Sequence, residues 1–239
     1  MSPARTTTRK GTQRSGRSGG RSGGRATAAQ SHREWLTLVD REGPFLAVPP
    51  LARLYSTGIP AIPPGAKEAL RDAKPAFERA WDAWRAAASR DGAGPGYRGR
   101  PGRPRPGDPE GADQSADDPL AAYRQARDTW VGTVLRDVLG WGAYWQPSPD
   151  PVLKSCAAAG PDEAVRVEPD GALITEGRVG ALVSVVDPVD SLRDPLTDGW
   201  SASPVDRMEE MLRAGQSSGA QGACSIGVVT DGRWWAIVS

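Results

Sequence analysis

Arginine is the residue whose spacing most readily does chemistry in this sequence. Residues 1–33 carry eight Lys/Arg and no acid, with Arg14, Arg17, Arg21 and Arg25 in near-repeats of Arg-Ser-Gly-Gly. A second set, Arg98, Arg100, Arg103 and Arg105, lies in GYRGRPGRPRPGD. Guanidinium groups strung along a Gly/Ser/Pro backbone neutralise nucleic-acid phosphates without reading sequence. The first stretch interleaves no aromatics, so base stacking is not indicated there. Other chemistries are poorly served. His32 is the single histidine and adjoins the basic tail, a poor place for catalysis. Cys156 and Cys224 stand far apart, and no Walker, CxxC, HExxH or GxSxG pattern occurs.

Within the second set, Arg98-Gly99-Arg100-Pro101 matches the core of an AT-hook, a short arm whose arginines enter a narrow A·T minor groove. Both arginine stretches also admit a plainer reading, a solvating tail (or an over-extended start) and an ordinary Gly/Pro linker. The charge balance is uneven: beyond residue 33 the chain holds 22 Lys/Arg against 29 Asp/Glu, so a body near −7 carries a basic arm. Hydrophobic content is 38%, mean hydropathy is −0.49, and the 29 glycines and 22 prolines cluster in particular segments. Such segments cannot bury enough apolar surface to offset the entropy of ordering them. Two distant cysteines, a start without an apolar leader and the absence of an 18-residue apolar run predict a cytoplasmic protein with no membrane partner.

The elements that must position any site follow from periodicity. Residues 1–31 read as a disordered basic tail, 32–89 as a helical segment, 90–117 as a Gly/Pro/Arg linker and 118–239 as an α/β core. Trp35, Leu36 and Val39 suit a short amphipathic helix. Gly43-Pro44 and Pro49-Pro50 read as breaks, and Leu51, Leu54 and Tyr55 suggest a second helix. Phe77, Trp81 and Trp84 form an apolar stripe on a longer helix that Pro75 starts or kinks. Asp118-Pro119 begins the clearest helix, whose face includes Leu120, Tyr123, Trp130, Val131, Val134, Leu135 and Val138, and Gly140 closes it. Three strands are expected around Val165–Val167, Ala172–Ile174 and Ala181–Val186. A helix with Met208, Met211 and Leu212 follows. The end reads as a hairpin, with Ile226–Val229 and Trp234–Val238 joined by a Thr230-Asp231-Gly232 turn suited to positive φ, and both tryptophans packed inward.

This α+β order of helix, three strands, helix and two strands, with Pro169-Asp170 entering the second strand, resembles the PD-(D/E)XK nuclease core. GVVTDGRWWAIVS is similar to the hairpin that closes the N-terminal region of large bacterial DNA methyltransferases of restriction–modification and BREX- or DISARM-like phage-defence systems. WSASPVDRMEEMLRA, REWLTLVDREGPFLAVPPL and LRDVLGWG resemble that region as well, in the same order, so the resemblance covers residues 33–88 and 118–239.

The resemblance implies a metal-dependent core with a carboxylate on the second strand and acid-x-lysine on the third. Asp170 falls where the first acid belongs, but Ser184 and Val186 stand at the other two positions, with Asp187 just beyond. Glu168, Asp170 and Asp187 are therefore the candidate remnant of a metal site, the alternatives being acidic turn residues or an unconventional active site around Asp170 and Asp187. A methyltransferase half would need a glycine-rich S-adenosylmethionine loop and an [DNS]-P-P-[YFW] motif. The chain contains no asparagine, its Pro-Pro pairs read VPPL and IPPG, and no cofactor is expected in it. The resemblance thus implies a non-catalytic, DNA-contacting N-terminal part of an adenine-type DNA-modifying defence protein. S-adenosylmethionine would bind further downstream, other defence subunits are the expected partners, and the ending within a strand is expected of a truncated product. The other reading is a stand-alone DNA-binding accessory protein that uses its arginine-rich arms.

Overall fold

The computed structural model describes residues 28–41, 46–57, 59–90, 118–147, 151–217 and 224–239. The candidate arginines at 14, 17, 21, 25, 98, 100, 103 and 105 lie outside them. The chain divides into two compact units, Met1–Pro60 and Ala61–Ser239. The helix of residues 66–90 packs within the second unit.

The first unit pairs α1 (Ala28–Leu36) with α2 (Val48–Leu54). Pro49 and Pro50, expected to break the chain, instead occupy the first turn of α2. There a fixed φ is already helical and the missing N–H has no intrahelical partner to lose. His32 is completely buried. Its Nε2 lies 3.0 Å from the Tyr55 carbonyl, and its Nδ1 accepts the Trp35 indole N–H at 3.1 Å. The carbonyl only accepts and the indole only donates, which fixes the tautomer with the proton on Nε2. His32 therefore ties α1 to the end of α2. Leu36 and Leu51 are buried, but α1 stops at Leu36 and leaves Leu38 84% exposed.

The second unit begins with α3 (Ala66–Arg90), which runs unbroken through Pro75. Its Phe77, Trp81 and Trp84 bury against Tyr123 of α4 (Pro119–Thr133), with ring centroids 5.7–5.9 Å from that tyrosine. Asp118 caps α4, accepting the Leu120 N–H at 2.9 Å, while Pro119 fills the first turn. A π-helical turn, Val134–Val138, widens the end of α4, and Gly140 stops it at φ +71°.

The main sheet has the order β1-β4-β5-β6-β7, built from β1 (Trp145–Pro147), β4 (Gly171–Thr175), β5 (Arg178–Val185), β6 (Gly227–Thr230) and β7 (Trp235–Val238). The expected strand at Val165–Val167 is not part of it. Arg166–Val167 (β3) pairs with Ala158–Ala159 (β2) as a separate two-stranded sheet, and the third strand before the crossover is β1. β4 and β5 form a hairpin turned by Glu176 (φ 52°) and Gly177 (φ 73°), the two positive values of a tight turn. A four-residue helix, α5 (Pro151–Lys154), precedes β2, and α6 (Pro204–Ser217) carries the crossover that makes β6 parallel to β5.

Alternation along β5 and β6 makes a three-layer unit. Leu182 and Val229 face Met208, Met211 and Leu212 of α6, while Val183 and Val228 face Val131 and Leu135 on the α4 side. A Cβ on Gly227 would overlap the Met208 thioether, so α6 sits directly on the β6 backbone. Cys156 and Cys224 lie in the α6-side core without a disulfide, and burial pushes both thiols above the usual value. The long connection from β5 to α6 is pinned by buried Arg207, which reaches Asp198 at 2.8 Å and the Trp200 carbonyl at 2.7 Å. Among the described residues no helix is long and apolar enough to cross a membrane.

Candidate functional site

Parallel strands β5 and β6 each run into an aspartate, Asp187 two residues past β5 and Asp231 directly after β6. The buried face of α4 lies across both. Tyr123, Arg127 and Val131 are spaced to share one helix face and are all buried, so an arginine sits in the middle of an otherwise apolar stripe. Its Nη1 donates to the Val186 carbonyl at 2.7 Å and lies 3.5 Å from Asp187, while Nε and Nη2 donate to Asp128 at 3.0 and 2.9 Å. Arg124, one position round the helix, makes a two-pronged pair with Asp187 at 2.8 and 2.6 Å.

The hairpin between β6 and β7 is closed by its own polar groups. Only Gly232 has positive φ, at +93°, so the Asp-Gly pair does not form the two-residue turn expected of it. Asp231 instead bends the chain with its side chain. Oδ1 accepts the N–H groups of Arg233 and Trp234 at 2.9 and 2.8 Å, and Oδ2 takes the Val189 N–H at 3.4 Å. The Thr230 hydroxyl accepts the Gly232 N–H at 2.8 Å and donates to the Trp234 carbonyl at 2.7 Å. Two carbonyls of the turn face α4: that of Asp231 accepts the Tyr123 hydroxyl, and that of Gly232 accepts the Trp130 indole N–H at 2.8 Å. Burial, with the Asp231 charge adding to it, pushes the Tyr123 phenol well above its usual value, so it stays a donor. Arg233 stacks on the Trp81 ring at 3.7 Å. Trp235 packs on the α4 side, but Trp234, expected inside, is 51% exposed.

The three candidate metal-site acids do not converge. Glu168 is exposed, 4.0 Å from Arg166. Asp187 is held by Arg124 and Arg127. Asp170 turns Oδ2 to β5, accepting the Val185 N–H at 2.7 Å and the Ser184 hydroxyl at 3.4 Å. Packed protein raises the Asp170 carboxyl above the ordinary range, opposed by the Val185 N–H, and the residue's exposure to solvent limits that rise. Among the described residues no group of three or more His, Cys, Asp or Glu side chains is gathered closely enough to hold a metal ion. The position where a second carboxylate was expected does meet Asp170, but Ser184 brings a donor there instead of a ligand. Asp170→Asn keeps an oxygen for Val185, so its melting temperature should stay within about 2 °C of the parent, and millimolar Mg²⁺ should raise neither. A Mg²⁺-dependent rise seen only with Asp170 present would establish a metal site there.

Sequence reasoning missed Arg124, Arg127 and the hydrogen-bonding roles of Tyr123 and Trp130. The available signal was the charged residue at 127 interrupting an apolar stripe. Chemically, the cluster binds sheet to helix: Asp187 is matched to guanidinium groups and Asp231 to backbone N–H groups. Comparison with models of protein families, with curated proteins and with solved structures finds no match.

Proposed function

We propose that this chain is a non-catalytic, DNA-contacting scaffold of a DNA-modifying restriction–modification or phage-defence protein, built on a nuclease-like core without a working centre. One observation carries the reading. Asp170, directly before β4, meets Ser184 of the neighbouring β5, where a nuclease core would hold two metal-binding carboxylates, and Asp187 is neutralised by Arg124 and Arg127. With a hydroxyl in place of a carboxylate and the remaining acid paired, neither metal affinity nor activation of water is supported. The hairpin GVVTDGRWWAIV, similar to the closing element of the methyltransferase family's N-terminal region, is used for closure throughout its turn, which agrees with a scaffold. DNA contact is assigned to the arginine-rich arms.

The test uses the purified chain and a labelled DNA duplex. Binding should weaken steeply between 50 and 200 mM salt. Neither cleavage with Mg²⁺ or Mn²⁺ nor methyl transfer from S-adenosylmethionine should occur. Cleavage lost in Asp170→Ala, or no duplex binding at 50 mM salt, would overturn the proposal.

A further inference from the structure

The charges of α3 are distributed unevenly around its circumference. Ala66, Phe77, Trp81 and Trp84 form the buried face. At about 100° per residue, Lys67, Arg71, Lys74 and Arg85 fall within a sector of about 60° beside that face, with Glu78 the one acid among them. All five are exposed, whereas Glu68, Asp72 and Asp82 lie outside the sector. The row is straight and about 27 Å long at 1.5 Å per residue. Glu78 does not discharge it. Its pair with Lys74, at 3.2 Å, joins side chains that are each more than half exposed, and such pairs are weak and screened.

A separate element adds a cation to the same flank. Arg233, from the β6–β7 hairpin, lies over the Trp81 ring, and residue 81 falls between Lys74 and Arg85 along the axis. The Val189 carbonyl, in the connection from β5 to α6, accepts from this guanidinium at 3.3 Å, Asp231 lies 3.9 Å from it, and the side chain keeps 28% of its surface in solvent. In sequence, the end of α3 at Arg90 leads into Arg98, Arg100, Arg103 and Arg105.

We infer that this flank of α3, with Arg233, is the folded unit's contact surface for the phosphate backbone of a DNA duplex. An extended row of separate cations suits a rigid polyanion, which offers a charge about every 1.7 Å along its axis, better than it suits a small anion, which could meet only one or two of them. The inference rests on the DNA-contacting reading above and moves part of that contact from the arms to the folded body.

The test compares the full chain with a Lys67→Ala, Arg71→Ala, Lys74→Ala triple variant by fluorescence anisotropy on a labelled duplex across a salt series. These side chains are exposed, and an unchanged circular-dichroism melt verifies the fold. The slope of log affinity against log salt should become shallower by about 2 to 3, at about 0.9 per lost phosphate contact, with affinity falling at least tenfold at 0.1 M salt. A Glu68→Ala, Asp72→Ala variant should bind at least as well as the parent. An unchanged slope in the triple variant would overturn the inference while leaving the arms as the contact. A parent chain that does not bind duplex would overturn both readings. Displacement of the duplex by polyglutamate at equal charge would reassign the row to an acidic protein partner.

Discussion

Gly232→Ala should be among the most damaging single substitutions in the second unit, lowering stability by about 2 to 5 kcal/mol. Two effects combine. A φ of +93° is strained for any residue with a Cβ, which costs about 1 to 2 kcal/mol. The added methyl would also stand 2.8 Å from the Phe77 ring and 3.1 Å from Arg127 Cγ, and overpacking of this kind costs about 1 to 3 kcal/mol. Gly177 separates the terms, because its φ is +73° and nothing lies within 4 Å of its missing Cβ. Urea titration of both alanine variants should therefore show Gly177→Ala costing only the backbone part. Equal losses at the two sites would mean that the hairpin is not pressed against α3 and α4 as described.

Asp231→Ala should cost a similar amount, about 3 to 5 kcal/mol, the range for removing one partner of a buried charged network. The carboxylate is wholly buried and serves three backbone N–H groups as well as Arg233. Distances indicate which role dominates. The N–H contacts to Oδ1 are 2.8 and 2.9 Å, whereas the closest ion-pair approach to Arg233 is 3.9 Å. Asp231→Asn, which keeps one acceptor oxygen, should accordingly recover more than half of the loss measured for alanine. If asparagine is as damaging as alanine, the ion pair is the larger contribution. A loss below 1 kcal/mol for alanine would show that the turn forms without its side-chain acceptor.

The elements legible in the sequence were those with long periodic patterns. The Asp118-Pro119 start, the α3 stripe and the methionine face of α6 each declare themselves over several turns, and the terminal hairpin is marked by apolar runs flanking Asp-Gly. β1 was illegible because three residues cannot establish an alternation, and Tyr144-Trp145 reads equally as an extension of the preceding aromatic segment. Val165 and Val167 alternate correctly, yet which sheet a two-residue strand joins is decided by tertiary contacts. Pro49-Pro50 showed a preference against helix interiors without showing that they occupy a helix start. His32 and Arg127 belong to another class of miss. Their burial depends on partners at Tyr55, Val186 and Asp187, and a polar side chain in a core is recognisable only once those partners are placed. The same limit applied to the candidate acids: sequence spacing brought Asp170 opposite residue 184, while the capture of Asp187 by α4 arose from packing.

The two bonds from α4 to the last turn span 108 and 102 residues of chain, and they set an order of assembly. A ribosome releasing this chain has delivered α3, α4 and the β4–β5 hairpin well before it delivers β6. Those pieces can form early because their contacts are near in sequence. Until residues 227–238 have been made, β5 has no partner for the edge that β6 occupies in the fold. Loop closure over such distances is slow relative to helix and hairpin formation. The sheet is therefore most open to unwanted strand pairing in the interval before β6 and β7 join it.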